Sequence, residues 1–408
     1  MNPLTIALRQ GRRTADIAEV REMRAEFLPF AAPLVGDEEV DEVVNCLRSG
    51  WLTTGERVKQ FEREFSEFIG ARHALAVNSC TAALHLALEA IGVGEGDEVI
   101  TTPMTFTATA AVIEHLRARP VFVDCEPGTL NLDASAIEPR LTRKTRAILP
   151  VHFAGQACDM DAIGAIARQH GLAVIEDAAH AIPTRHRGRL IGSIGQITCF
   201  SFYATKNITT GEGGMVVTDN DDYAERMKLM HLHGMSRDAW KRYTQDGSWS
   251  YEILAPGFKY NMTDIAAAIG IHQLRKCYAF HQRRMAIAQM YDDALRDVPG
   301  IHTPVVADPS GHGWHLYVIQ VDPAVLSIDR NTFIEKLIAR NIGVSVHFIP
   351  LHLHPFYRER YGCQPTDFPN ALAAYERIIS LPLYAKMTDT DVNDVIHAVG
   401  DIAQEARR

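Results

Sequence analysis

Between Leu172 and Thr218 three short apolar runs alternate with polar, glycine-bearing turns, and no other stretch of the chain restricts the fold so closely. The first run, Ala173-Val174-Ile175-Glu176-Asp177, reads as a buried strand that delivers a carboxylate at its C-terminal end. The second, 197–202, contains Ser201 and is soon followed by Lys206; the third, 214–218, follows Gly211 and Gly213. Three strands joined in this way bring one acid, one hydroxyl and one lysine around a common point. Such a point suits a ligand carrying a cationic ring nitrogen, a phosphate and an aldehyde.

The rest of the chain supplies a scaffold for that point. Residues 74–77 read as a strand, Asn78-Ser79-Cys80-Thr81 as a hydroxyl-rich turn and 82–90 as a helix. Strand, turn and helix start in this order make an anion site, because the free N–H groups and the helix dipole face whatever sits there. Further strands at 98–101, 120–123 and 148–151 alternate with helical text at 107–116 and 161–170. This is the α/β pattern of a mostly parallel sheet covered on both faces, which binds ligands at the C-terminal ends of its strands. Thr81, Asp177 and Ser201 all fall at such ends. Spacing also predicts a helix after Gly36 and another over 58–69, with Phe61, Phe65 and Phe68 on one side.

Helical text at 263–274 and 278–295 precedes a compositional change near Gly300. Strands are then predicted at 316–321 and 344–348, around a helix at 332–340, with closing helices at 371–378 and 391–403. These divide the chain into an N-terminal extension (1–26), a large α/β domain (27–285) and a smaller C-terminal α+β domain (286–408). A formal charge of −9 argues against a broad nucleic-acid footprint. The seven cysteines are odd in number, and most lie in or beside apolar text, as reduced buried thiols do. No apolar run approaches the ~20 residues needed to span a bilayer, and no signal peptide is recognisable, so a cytoplasmic address is expected.

Each candidate residue has a plain reading beside the chemical one. Alone, Lys206 is a surface lysine in a turn; beside Asp177 and Ser201 it is an amine placed to form a Schiff base, the link that pyridoxal phosphate uses. Asp177 either caps the next helix or meets the pyridine nitrogen of that cofactor. His180 either stacks on the ring or is a satisfied, half-buried histidine. Thr81, the backbone N–H of Ala82 and the hydroxyl of Ser201 form a phosphate cup, a role compatible with Thr81 acting as a helix cap. Phe106 either covers the ring or belongs to the core. His347, His352 and His354 match no closed metal site, so no metal is expected and their loop is read as facing a substrate cleft.

Taken together, VIEDAAHA, SFYATKNITTGEGGMVVTDN, VNSCTAALHLAL, GEGDEVITTPMTF, PVHFAGQACDMDAI, LAPGFKYNMTDIAAAIG and ISLPLYAKMT resemble the DegT/DnrJ/EryC1/StrS aminotransferases over residues 30–399. The resemblance implies a fold-type I pyridoxal 5'-phosphate enzyme that aminates a nucleotide-linked keto sugar, with L-glutamate as donor and 2-oxoglutarate as by-product. It implies that Lys206 is the Schiff-base lysine, Asp177 the acid at the pyridine nitrogen and His180 the polar residue beside the ring. Thr81, Ala82 and Ser201 match the phosphate binders, and Phe106 the aromatic over the cofactor. Asn261 resembles a phosphate contact given by the other subunit, which implies a homodimer with shared active sites. His347 and the 350–354 loop, with His352, match a region lining the sugar cleft. The blocks WLTTGERV, ATKNITT, DAWKRY and EILAPGFKYNMTD favour the branch that makes UDP-4-amino-4-deoxy-L-arabinose from a UDP-4-keto-pentose, a sugar used to mask lipid A phosphates. Other UDP- or dTDP-linked keto sugars, a keto-inositol, or a catalytically silent scaffold or regulator are the alternatives.

Overall fold

A computed structural model describes residues 24–236, 251–308 and 311–408. The expected N-terminal extension up to residue 23 and most of the loop after Ser236 lie outside the described residues. The central sheet has seven strands. Five run through the first half of the chain: β1 (His73–Val77), β2 (Glu98–Thr101), β3 (Arg119–Phe122), β4 (Thr145–Ile148) and β5 (Ala173–Asp177). A small ribbon, β6 (Arg185–His186) and β7 (Arg189–Leu190), comes before the last two, β8 (Ile197–Ser201) and β9 (Gly214–Thr218).

The strand order is β1-β9-β8-β5-β4-β2-β3. Pairings from β8 through β5, β4 and β2 to β3 are parallel, whereas β9 is antiparallel to both β8 and β1. Because β9 opposes both neighbours, β1 points the same way as β8 and β5. The C-terminal ends of β1, β5 and β8 therefore share one edge, where an open α/β sheet binds its ligands.

Helices cover both faces. The first two are α1 (Asp37–Ser49) and α2 (Glu56–Ile69). Next come α3 (Cys80–Ala90), α4 (Thr107–His115), α5 (Met160–His170) and α6 (Asp221–Met230). The phenylalanine stripe of α2 packs on β8: Phe65 lies with its ring centroid 5.2 Å from Phe200 and 5.6 Å from Phe202. In α1 the apolar residues that mark the helix are not the ones it buries. Val40 and Leu47 are both 52% exposed, while Glu39 is buried among Gln273, Lys276 and the Gly36 N–H.

The helical text at 263–274, which either continues or restarts through 278–295, forms one uninterrupted α7 (Asp264–Leu295). Its first half, through Phe280, packs in the core of the large sheet; Ile287, Tyr291 and Leu295 belong to a second core. That second core covers a three-stranded antiparallel sheet of β10 (Ile301–His302), β11 (Tyr317–Val321) and β12 (Ile378–Leu381). The remaining helices are α8 (Arg330–Ala339), α9 (Pro355–Tyr361), α10 (Pro369–Tyr375) and α11 (Asp389–Glu405). Leu28, grouped with the large domain on sequence, packs in this second core and bridges Ile342.

Two expectations for this lobe are corrected. Residues 344–348 are not a strand; Ser345 alone exchanges backbone bonds with Ser380, and the chain then turns toward the cleft at His347. Ile378, predicted as a helix end, opens β12 instead. A short apolar run carries no periodicity that separates the two structures, and pairing with β11 decides it.

Asp264 ties the start of α7 to that of α2. Its carboxylate accepts the N–H groups of Gly55 at 2.8 Å, Val58 at 3.1 Å and Arg57 at 3.3 Å. These are the unpartnered donors at a helix start, and the carboxylate is buried. Asp264→Ala should lower the stability of the protein by about 2–3 kcal/mol. Urea unfolding followed by tryptophan fluorescence checks this; an unchanged midpoint would show that the carboxylate is not needed there.

Candidate active site

The shared strand edge opens into a cavity of about 430 Å³, walled by Thr81, Asp177, His180, Ser201, Lys206 and His347 among others. Asp177 comes from the last position of β5. One carboxylate oxygen accepts the Thr109 hydroxyl at 2.8 Å and the other the Ala179 N–H at 3.1 Å. Burial pushes this carboxyl above its ordinary range, opposed by those two donors and by the amine of Lys206.

Glu176, one residue earlier, faces the opposite side of the strand and is fully buried. It accepts the Thr198 hydroxyl at 2.7 Å and the Gly195 N–H at 2.9 Å. It also accepts His152 Nε2–H at 2.9 Å, because His152 Nδ1 is occupied as acceptor by the Cys158 N–H. This network fixes the strand end that presents Asp177.

Lys206 lies in the turn after β8, where its N–H bonds the Tyr203 carbonyl at 2.9 Å. Burial lowers its amine to about 8, with Cys80 and Asp177 pulling the other way. A lysine near 8 carries a substantial neutral fraction at physiological pH, as a nucleophile or proton acceptor requires.

The anion cup differs in detail from the sequence reading. Helix α3 begins at Cys80, and its N-cap is Ser79, not Thr81. Ser79 Oγ already accepts the Ala82 N–H at 3.1 Å, so Ala82 does not present a free donor; the first turn offers Cys80, Thr81 and the exposed Thr81 hydroxyl instead. Gly214 lets this turn lie against the sheet, since a Cβ there would come within 2.6 Å of the Ser79 backbone.

Phe106 is 62% exposed at the mouth, with its ring centroid 6.3 Å from that of Phe348. His180 is buried, stacked on Phe348 at 5.8 Å, and its Nδ1 has no hydrogen-bond partner. His347 lines the cavity, bonds Ser380 Oγ through Nδ1 at 2.8 Å and is held down to about 4 by burial.

Two expected residues are elsewhere. His352 is not in the cleft: it is fully buried against Phe368 and bonds the Pro365 carbonyl at 3.1 Å, because the 351–353 turn tucks inward. Asn261 lies outside the cavity of its own chain, bonded to Thr54 Oγ1 and Lys259 at 2.6 Å each. Thr109, His315, Tyr203 and Phe348 were missed. Only Thr109 had a usable signal, a hydroxyl in the first turn of the helix after the Phe106 loop.

The chain matches the DegT/DnrJ/EryC1/StrS aminotransferase family over residues 33–400. It belongs to that family. It is 53% identical to the spore coat polysaccharide biosynthesis protein SpsC of Bacillus subtilis, over 94% of this chain and 99% of that one. Among solved structures it is similar to the putative sugar aminotransferase Spr1654 of Streptococcus pneumoniae in its PMP form. There the identity is 34% and the TM-score 0.86, with 93% of this chain and 98% of that chain covered. It is also similar to Helicobacter pylori PseC, an aminotransferase involved in pseudoaminic acid biosynthesis, at 30% identity and a TM-score of 0.87, covering 93% and 100%. The protein is thus a pyridoxal-phosphate-dependent aminotransferase of fold-type I, with a smaller C-terminal domain.

The cavity fits that cofactor. It has a buried acid for the ring nitrogen, a depressed lysine for the aldehyde, a helix start with Ser201 for the phosphate, and an unpartnered buried nitrogen on His180. Among the described residues no helix is long and apolar enough to cross a membrane.

Only the neutral amine adds to an aldehyde, so capture of pyridoxal phosphate by cofactor-free protein should rise about tenfold from pH 7 to pH 9 and then level off. Borohydride trapping at Lys206 across pH checks this. A rate still climbing beyond pH 10 would mark an unperturbed lysine.

Proposed function

We propose that this enzyme transfers the amino group of L-glutamate to the keto carbon of a nucleotide-linked 4-keto sugar, in a homodimer whose protomers share their active sites. The observation that carries the reading is the pairing of Lys206 with Asp177 across one cavity, beside the helix start at Thr81. When bound, pyridoxal phosphate supplies an electron sink for charge developing at the donor's α-carbon. Lys206 Nζ would hold the aldehyde carbon, Asp177 the ring nitrogen, and Thr81, Ser201 and the first turn of α3 the phosphate.

With its amine free, Lys206 Nζ would be the base that takes the donor's α-proton, and its depressed pKa favours the neutral lone pair this needs. Asp177, whose charged form the Thr109 hydroxyl and the Ala179 N–H favour against burial, would hold a proton on the ring nitrogen. Phe348 and His180 line the cavity with rings, and Phe106 stands at its mouth.

Lys206 is the one lysine or arginine among the described residues that line the cavity. A substrate with a diphosphate, together with the cofactor phosphate, calls for more positive charge than that single lysine among the described lining residues. Asn261, which does not line the cleft of its own chain, is the residue a partner would contribute. The UDP-4-keto-pentose is the substrate that the sequence blocks favour. The biosynthetic roles in the names of SpsC and PseC, spore coat polysaccharide and pseudoaminic acid, support a sugar acceptor without choosing one.

Lys206→Ala should reduce steady turnover by about a thousandfold or more while leaving circular dichroism unchanged. Near-wild-type release of 2-oxoglutarate from this variant would sink the assignment. A panel of UDP- and dTDP-linked keto sugars and a keto-inositol, each with glutamate and read by product mass, should give amination with a UDP-linked 4-keto sugar. Amination of the inositol alone would overturn that choice.

A further inference from the structure

Asn207, next to the reactive lysine in sequence, is buried and has a fully determined amide. Its Nδ2 donates to two carbonyls, Ile182 O at 2.6 Å and Gly313 O at 2.7 Å. Carbonyls only accept, so the orientation of the amide follows, and Oδ1 is the atom left to face His315 Nδ1 at 3.0 Å. His315 must then carry its proton on Nδ1, and Nε2 is its bare nitrogen. The His315 ring lies 4.2 Å from that of His180, which is stacked on its other neighbour, Phe348. The segment bearing His315 is itself anchored: Gly313 N and His315 N donate to Gly155 O and Ala154 O at 2.7 and 3.0 Å. One side-chain amide thus joins the Lys206 turn, the turn after Asp177 and the 313–315 segment.

We propose that Asn207 and His315 are positioning residues of the aminotransfer reaction: the clamped amide holds His315 in its Nδ1–H form, that ring backs His180, and the same amide sets the Lys206 turn. The inference rests on Lys206 being the reactive amine. Neither residue takes part in bond making. Their effect is to keep Lys206 Nζ in its desolvated place, beside the rings of His180, His315 and His347. The other titratable groups facing it are Asp177 at the end of β5 and Cys80 at the start of α3, with Glu212 and Tyr203 also on the cavity wall.

Two substitutions separate the parts of this device. His315→Phe keeps a ring against His180 but loses the Nδ1–H, whereas His315→Asn keeps a donor near the Nδ1 position and loses the ring. Cofactor-free protein is labelled with trinitrobenzenesulfonate across pH, and the Lys206 peptide is quantified by mass. His315→Phe should raise the Lys206 labelling midpoint by about one pH unit, as a loosened turn lets water reach the amine. It should also lower kcat about tenfold, with little change in the KM for glutamate. His315→Asn should keep the labelling midpoint near the wild-type value.

A His315→Phe midpoint equal to wild type, or equal displacement in both variants, overturns the proposal, even where both lose thermal stability. If His315→Phe does not fold, Asn207→Ser is labelled in its place, and a wild-type midpoint there overturns the proposal equally. Absence of a borohydride-trapped adduct at Lys206 in the wild-type protein would instead sink the lysine assignment beneath it.

Discussion

A buried carboxylate at the end of a central strand is the constraint the site depends on. Desolvation works against the charged form of Asp177, the form that would hold a charged ring nitrogen in place. The fold answers with donors: the Thr109 hydroxyl, the Ala179 N–H and the nearby amine of Lys206. The same low-dielectric surroundings that disfavour the carboxylate bring the lysine down to about 8. Burial therefore makes the cation easy to discharge, while the donors around Asp177 work against the effect of the same burial on the acid.

Around this pair the polar network has few loose ends. Glu176 is satisfied by three donors behind Asp177, and Asn207 uses both its donors and its acceptor. Buried networks of this kind give geometry more than stability, because each member is satisfied in only one arrangement. His180 Nδ1 is unpartnered among these groups, and it faces a neighbourhood otherwise filled by rings.

Much of the large lobe was legible because its strands are apolar runs ended by turn residues, and because Asp177, Ser201 and Lys206 fall just where those runs stop. The reach of that reading ended where long-range contact decides. Thr81 and Ala82 were correctly placed at a helix start, yet Ser79, two residues before Thr81, had the geometry to cap it. His352 lies one short turn from His347 in sequence and faces the core, a difference set by the inward tuck of 351–353 and by Phe368 from a distant part of the chain. His315 carried no local signal, since its importance comes from Asn207, more than a hundred residues away. In β12, pairing with β11 overrode an ambiguous apolar run.

The unbroken course of α7 through both cores has a mechanical consequence. At 32 residues it is about 48 Å long, a stiff rod whose two halves are gripped by different packed interiors. Lobes joined by such a rod do not swing about a slack linker at this crossing. Any relative motion of the lobes at this crossing must come from bending the rod or from side chains sliding across packed faces, so it takes the form of shear, small in amplitude and spread over many contacts.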